Sequence, residues 1–290
     1  MKRAGKRIRR ALPALLLALV LTVGISAAVC RVSLKTTEYT AAVRGLTAPL
    51  RTVVLSDLHS REYGKDNAAL LARVAQQQPD AIFCVGDFID SDAAPAQLQR
   101  LYQLLRRLGE IAPVFFSPGN HEITYMESHG SELLDAVAAT GVTVLYDRWV
   151  QTTLGGAAVR IGGSCGHFRD INRSAKLDYA MEETIGAADV PAIVLLHMPE
   201  SLLLDDARER WTGQVFLSGH THGGVIRIPL IGGLVAPTQG LFPKYDQGKF
   251  TVDGRMTLII TSGLAGYACV PRVCNRPEVC VVDLIPEEGS

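Results

Sequence analysis

Five short apolar runs, each ending in residues that metal ions prefer, constrain this chain more than any other feature. Residues 52–56 (Thr-Val-Val-Leu-Ser) lead into Asp57-Leu58-His59, and residues 81–85 (Ala-Ile-Phe-Cys-Val) lead into Gly86-Asp87-Phe88-Ile89-Asp90. Val114-Phe115-Phe116 passes through Ser117-Pro118 to Gly119-Asn120-His121-Glu122, Ile193-Val194-Leu195-Leu196 ends at His197, and Val215-Phe216-Leu217 reaches Gly219-His220-Thr221-His222-Gly223-Gly224. Runs of this length and β-branched or aromatic content read as buried strands. His220 and His222, two residues apart, fall on one side of an extended segment, and the glycines around them let backbone approach closely.

The stretches between the runs have helical periodicity. Asp66-Asn67 caps a helix carrying Ala69, Leu70 and Val74 that stops before Pro79, and a second helix after Pro95 aligns Leu98, Leu101, Leu105 and Leu108 on one face. This βαβαβ alternation predicts right-handed crossovers and a largely parallel sheet with functional residues at the carboxyl ends of its strands. Residues 132–140 read as a third helix. The short alternating runs 142–145, 150–154 and 158–161 read as strands of a second sheet, followed by a polar loop (162–176) and a short helix (178–185). Further strands are expected at 225–228, 256–261 and 278–284. The Gly/Pro-rich span 229–248 is long for a connection, which favours a functional lid over a linker.

The formal charge balances at 29 basic against 29 acidic residues, but Lys2, Arg3, Lys6, Arg7, Arg9 and Arg10 all fall in the first ten. The remainder is mildly acidic, so no nucleic-acid partner is expected. Residues 11–29 carry no charge and are long enough to cross a bilayer. A cleavable signal has a shorter apolar core, so a retained single-pass anchor is expected. The basic start then places residues 1–10 in the cytoplasm, a connector with an edge strand follows at 30–48, and the domain at 49–287 lies outside. An exported domain permits disulfides, and a bridge among Cys269, Cys274 and Cys280 is an expectation; Cys84 reads as core.

The candidate ligands are Asp57, His59, Asp87, Asn120, His197, His220 and His222, which offer carboxylate, amide and imidazole donors without a thiolate. Seven donors exceed the three or four of one zinc ion and suit two ions sharing a carboxylate. Oxygen and nitrogen donors match Mn, Fe or Zn. Two cations about 3.5–4 Å apart clamp a phosphoryl oxygen and lower the pKa of a bridging water toward ~7.

In this order, Asp57-x-His59, Gly86-Asp87, Gly119-Asn120-His121-Glu122, His197 and Gly219-His220-x-His222 resemble the motifs of the calcineurin-like metallophosphoesterases. The closing segment, with Thr261-Ser262-Gly263-Leu264, Pro271-Arg272 and Arg276-Pro277-Glu278-Val279, is most similar to the family's bacterial membrane-associated branch. The resemblance implies an α/β fold of two mixed β-sheets packed as an α/β/β/α sandwich, here preceded by one transmembrane helix. It also implies that Asp57, His59 and His222 ligate one metal, that Asn120, His197 and His220 ligate the other, and that Asp87 bridges them. His121 matches the general acid beside the metals, Asp90 a residue that orients a ligand histidine, and Arg272 a phosphate contact. His167, in the polar loop with Arg169 and Arg173, is a further candidate for substrate contact. Ser91 and Asp92 depart from the Asp-Arg-Gly continuation of the protein phosphatases, which makes a phosphoprotein substrate a poor expectation.

The function these residues predict is hydrolysis of a phosphoester or pyrophosphate, on a phosphorylated small molecule or a lipid-linked or envelope phosphate. A nucleotide or cyclic-nucleotide phosphodiesterase is the alternative within enzymes. A metal-binding sensor without turnover is the alternative outside them, and His121 and Asp90 speak against it because a pure binding site needs no acid.

Overall fold

The computed structural model describes residues 2–166, 180–187, 189–203, 209–266 and 270–287. The strands are β1 (Lys35–Val43), β2 (Leu50–Leu55), β3 (Ala81–Val85), β4 (Val114–Ser117), β5 (Thr143–Val144), β6 (Arg148–Leu154), β7 (Ala157–Ser164), β8 (Ala192–Leu196), β9 (Val215–Ser218), β10 (Arg227–Ile228), β11 (Gly232–Gly233), β12 (Val235–Ala236), β13 (Gly240–Leu241), β14 (Gly248–Val252), β15 (Met256–Ile260) and β16 (Glu278–Pro286). The helices are α1 (Lys2–Val32), α2 (Ala68–Ala75), α3 (Pro95–Gly109), α4 (Asn120–His129), α5 (Glu132–Ala138), α6 (Ala180–Thr184) and α7 (Glu200–Leu203).

Two six-stranded mixed sheets result, ordered β1-β16-β2-β3-β4-β5 and β14-β15-β9-β8-β7-β6. β2, β3, β4 and β5 run parallel, as do β7, β8, β9 and β15. The apolar runs are continuous because both faces of these strands are covered. Val54, Phe83, Val85 and Phe115 meet Ile161, Ile193, Leu195 and Leu217 between the sheets. Val53, Leu55, Ile82 and Cys84 face outward onto Leu70, Leu101, Leu105 and Val137 of α2, α3 and α5. On the far side, Val194, Leu196, Phe216 and Leu258 pack against Met181, Leu202 and Trp211. The layering is therefore the expected α/β/β/α sandwich. Truncating a fully buried ring such as Phe83 costs about 3–5 kcal/mol.

α3 starts where expected: Pro95 presets the first helical φ, and the Gln97 side chain accepts the Ala94 N–H at 2.7 Å. Asn67 stands at the N-cap of α2 but makes no side-chain cap; its Oδ1 instead accepts the Tyr63 N–H at 3.0 Å. Several expectations need correction. α4 is an additional helix, and its one fully buried side chain is Glu122, so no apolar stripe announces it. β5 joins the edge of the first sheet beside β4, not the second. β14, absent from the expected strands, pairs antiparallel with β15. Cys280 is a free thiol between the sheets, and Cys274 is an exposed free thiol, so those two do not form a bridge. Cys269 lies outside the described residues.

α1 runs beyond the expected 11–29 at both ends, and residues Pro13–Val32 form a span of mean hydropathy 2.3 that is long enough to cross a membrane. Its apolar side chains, including Leu15, Leu16 and Ile25, are exposed. Its last turns touch the domain: Cys30 is buried, the Cys274 N–H donates to Ser26 Oγ at 2.7 Å, and just past the helix Arg276 Nε donates to Ser33 Oγ at 3.0 Å. The edge strand expected in the connector is β1, which pairs with β16 from Lys35↔Glu278 to Val43↔Pro286.

Candidate metal centre

All seven predicted ligands sit just beyond the carboxyl ends of strands: Asp57 and His59 after β2, Asp87 after β3, Asn120 after β4, His197 after β8, and His220 and His222 after β9. Because β2, β3 and β4 are parallel in one sheet and β8 and β9 in the other, five loops meet at one rim. Donor atoms of Asp57, His59 and His222 lie within 4.8 Å of one another, as do those of Asp87, His197 and His220, and those of His59, Asp87 and His121.

The backbone turns sharply to achieve this. Asp57, His59, Asp87, His220 and His222 all have φ between 46° and 67°, a region that costs non-glycine residues roughly 1–3 kcal/mol each and gathers at functional sites. Close approach is permitted by glycine: a Cβ on Gly119 would lie 2.3 Å from Asp87 Oδ1.

Hydrogen bonds set the histidine tautomers. His59 Nδ1 is 2.9 Å from Asp90 Oδ1, His197 Nδ1 is 2.8 Å from the Val85 carbonyl, and His222 Nδ1 is 3.0 Å from the Ala265 carbonyl. Each partner accepts only, so each Nδ1 carries the proton and each Nε2 presents a lone pair. His59 Nε2, His220 Nε2 and Asn120 Oδ1 are buried without a hydrogen-bond partner. Such atoms are costly to bury unless something else engages them, and a cation at the centre would do so.

Spacing agrees. His197 Nε2 is 3.1 Å from Asp87 Oδ2, His222 Nε2 is 3.8 Å from Asp57 Oδ1, and His59 Nε2 is 3.9 Å from Asp87 Oδ2. Metal bonds of about 2.1 Å need donor separations of this order. Burial lowers the pKa of His220 to about 3 and of His222 to about 4, leaving both as neutral donors at neutral pH. With no cation present, Asp87 and His197 share a proton: Asp87 raises the His197 pKa to about 10 despite burial, and the charged ring in turn holds Asp87 well below the usual carboxylate range; a cation at the centre would displace that proton and free the His197 Nε2 lone pair. The Asp and His clusters thus suit two divalent metals.

Glu122 is the residue that sequence reasoning left without a role. Fully buried, it accepts the N–H groups of Asp87 and Gly119 at 2.8 Å, of Phe88 at 2.7 Å and of Ile89 at 3.2 Å, tying the loop after β3 to that after β4. Its place three residues after Gly119, at the third position of α4, was the available signal. His121, half-buried at the start of α4, packs edge-on against His59 with ring centroids 4.7 Å apart. Its Nδ1 accepts the Ser91 N–H at 3.2 Å, so the proton of the neutral ring sits on Nε2.

Arg272 is buried. Its terminal nitrogens donate to the carbonyls of Gly263, Ala265, His222 and Ser262 and to Asn275 Oδ1, which makes it a brace for the loop carrying His222. Its Nε alone has no partner. His167 lies outside the described residues.

A cluster of this make-up at the strand ends of two stacked sheets defines a metal-dependent hydrolase acting on phosphoester bonds. The calcineurin-like phosphoesterase model matches residues 50–224, more than half of the chain, and the chain belongs to that family. It is 28% identical over 248 residues to phosphodiesterase YaeI of Escherichia coli, covering 82% of this chain and 83% of that protein. It is 25% identical over 260 residues to the metallophosphoesterase YkuE of Bacillus subtilis, covering 87% and 85%. The solved structure of a dimetal phosphatase from Danio rerio overlays with a TM-score of 0.41 at 12% identity, covering 74% of this chain and 87% of that one.

Proposed function

We propose that this chain is a membrane-anchored phosphohydrolase of the bacterial membrane-associated branch, with its catalytic domain outside the cytoplasm, cleaving a phosphoester or pyrophosphate carried by a lipid or other envelope molecule. The observation that carries this reading is the joining of α1 to the site. The segment that hydrogen-bonds the end of α1 through Cys274 and Arg276 also supplies Arg272 and Asn275, which hold the His222 carbonyl at 3.1 Å and 2.7 Å. A site fixed to the foot of an apolar helix works where lipid-borne phosphates lie. The basic residues ahead of the apolar span of that helix favour a cytoplasmic N-terminus.

In this reading Asp57, His59 and His222 would hold one ion and Asn120, His197 and His220 the second, with Asp87 shared between them. Two such ions supply Lewis acidity and a nucleophilic water at neutral pH. The protein's own groups do the rest. Asp90, Val85 and Ala265 fix the rings of His59, His197 and His222, so the donors are aligned before substrate arrives. His121 holds a proton at Nε2 and delivers it to the departing oxygen.

The test is hydrolysis by the full chain in vesicles, metal-stripped and then reconstituted with Mn, Zn or Fe, of lipid-borne phosphodiesters and pyrophosphates against soluble nucleotides and aryl phosphates. Metal-restored activity that favours the lipid-borne substrates and is lost in Asp87→Asn is the expected result. Equal rates on soluble nucleotides would sink the lipid assignment, and metal binding with no turnover of any ester would favour a binding module.

A further inference from the structure

The small hairpins β10-β11 and β12-β13 carry large apolar side chains that no described residue covers. Leu230 and Ile231 at the first tip are 108% and 66% exposed, and Leu241 and Phe242 at the end of β13 are 69% and 58% exposed. Leu230 and Phe242 also adopt φ of 69° and 54°, which a side chain facing water would leave to glycine or asparagine. Two large apolar residues here incur backbone strain with no burial within the domain to offset it.

The first of these tips stands beside the foot of α1. Cys274, whose N–H donates to Ser26 of α1, lines one cavity together with Ile228, Pro229, Leu230 and Ile231. The hairpins are also firmly seated. The Leu234 N–H donates to the carbonyls of Gly224 and Ile226, Thr221 Oγ1 donates to the Asp246 carbonyl at 2.5 Å, and Asp246 Oδ2 accepts from Arg227 and from Gly233 N–H at 2.7 Å.

The grip on α1 lies inside its apolar span. If the domain holds the helix at Ser26, residues 13–25 offer about 20 Å of helix at 1.5 Å per residue, against a hydrocarbon core of about 30 Å. The shortfall of roughly 10 Å disappears if the rim that grips α1 itself sits in the interfacial layer, where apolar groups bury about 5–10 Å deep.

We propose that the Leu230-Ile231 tip beside α1, together with the exposed Leu241-Phe242 at the end of β13, forms a second membrane contact, inserting into the phospholipid interface and seating the metal rim at headgroup level. Arg31, Lys244 and Arg276, all exposed, then lie where long cationic side chains reach lipid phosphates. The inference rests on the reading of α1 as a retained anchor.

The test uses the full chain reconstituted in phosphatidylcholine–phosphatidylglycerol vesicles, with Leu230→Trp and Phe242→Trp in turn and the fluorescence of native Trp149 and Trp211 subtracted. Insertion gives a blue-shifted emission quenched by lipids brominated high on the acyl chain. Serine at Leu230, Ile231, Leu241 and Phe242 together lowers the ratio of vesicle-borne to soluble ester hydrolysis severalfold. Water-like, unquenched emission on a chain whose α1 resists carbonate extraction would overturn the second contact and leave the anchored reading standing. Extraction of the chain by carbonate would overturn both.

Discussion

Asp90 Oδ1 lies 2.9 Å from His59 Nδ1, and this contact fixes which nitrogen of His59 faces the metal centre. In the proposed mechanism Asp90 is not itself a ligand; its part is orientation. Removing such a partner typically weakens metal affinity or activity 10–100-fold. Asp90→Ala is therefore expected to raise the metal dissociation constant by about that factor with an unchanged fold, as read by competition with a chelating dye. Asp90→Asn keeps an acceptor oxygen and should recover part of the loss. Equal affinity in Asp90→Ala and the parent would refute the role.

In the proposed mechanism His121 provides a proton rather than a ligand, so its loss should separate turnover from metal binding. His121→Ala is expected to lower kcat by about 10²–10⁴-fold while bound metal, measured by elemental analysis, stays at the parent level. A substrate with a good leaving group, such as p-nitrophenolate, should be affected least. Loss of metal in step with activity would move His121 into the ligand set.

Glu122 satisfies four buried backbone N–H groups. Each left unsatisfied costs about 1–3 kcal/mol, so Glu122→Ala should destabilise the fold by at least about 4 kcal/mol. The effect is read as a lower urea midpoint, with Glu122→Gln, which retains one carbonyl oxygen, falling between. An unaltered midpoint in Glu122→Ala would show that the two loops hold together without it.

Glu278 is buried, bonded at 2.8 Å to Lys35, to the Thr37 and Thr261 hydroxyls and to the Ser262 N–H. Burial alone pushes its pKa up, but Lys35 and the hydrogen bonds outweigh it and the pKa is lowered. A carboxylate with a depressed folded pKa contributes stability above its unfolded value of about 4.3, lost as pH falls through the folded value. Glu278→Gln should thus cost about 2–3 kcal/mol at pH 7, discounted because Lys35 is partly exposed. The difference in Tm should shrink below about pH 4; a pH-independent difference would show that packing, not charge, is at stake.

Much of this molecule is legible in the order of its residues. Runs apolar on both faces dictate strands buried between layers, and donors at the end of each run dictate where chemistry collects, because parallel strands present their carboxyl ends together. Seven donor positions and the sandwich follow from that logic together with the family resemblance. Local pattern does not reach α4, since its one buried side chain is a carboxylate, nor β5, a two-residue edge without a pattern of its own.

Tertiary structure alone decided what each side chain does. Arg272, expected at a phosphate, is surrounded by carbonyls because the loops after β9 and β15 close around it. Glu122 gained its role from amides up to 35 positions away. The His59, His197 and His222 tautomers depend on acceptors at Asp90, Val85 and Ala265. Hydrophobic periodicity is a property of neighbours in sequence and fixes the elements; hydrogen-bond satisfaction is a property of neighbours in space and exists only once the chain has closed on itself.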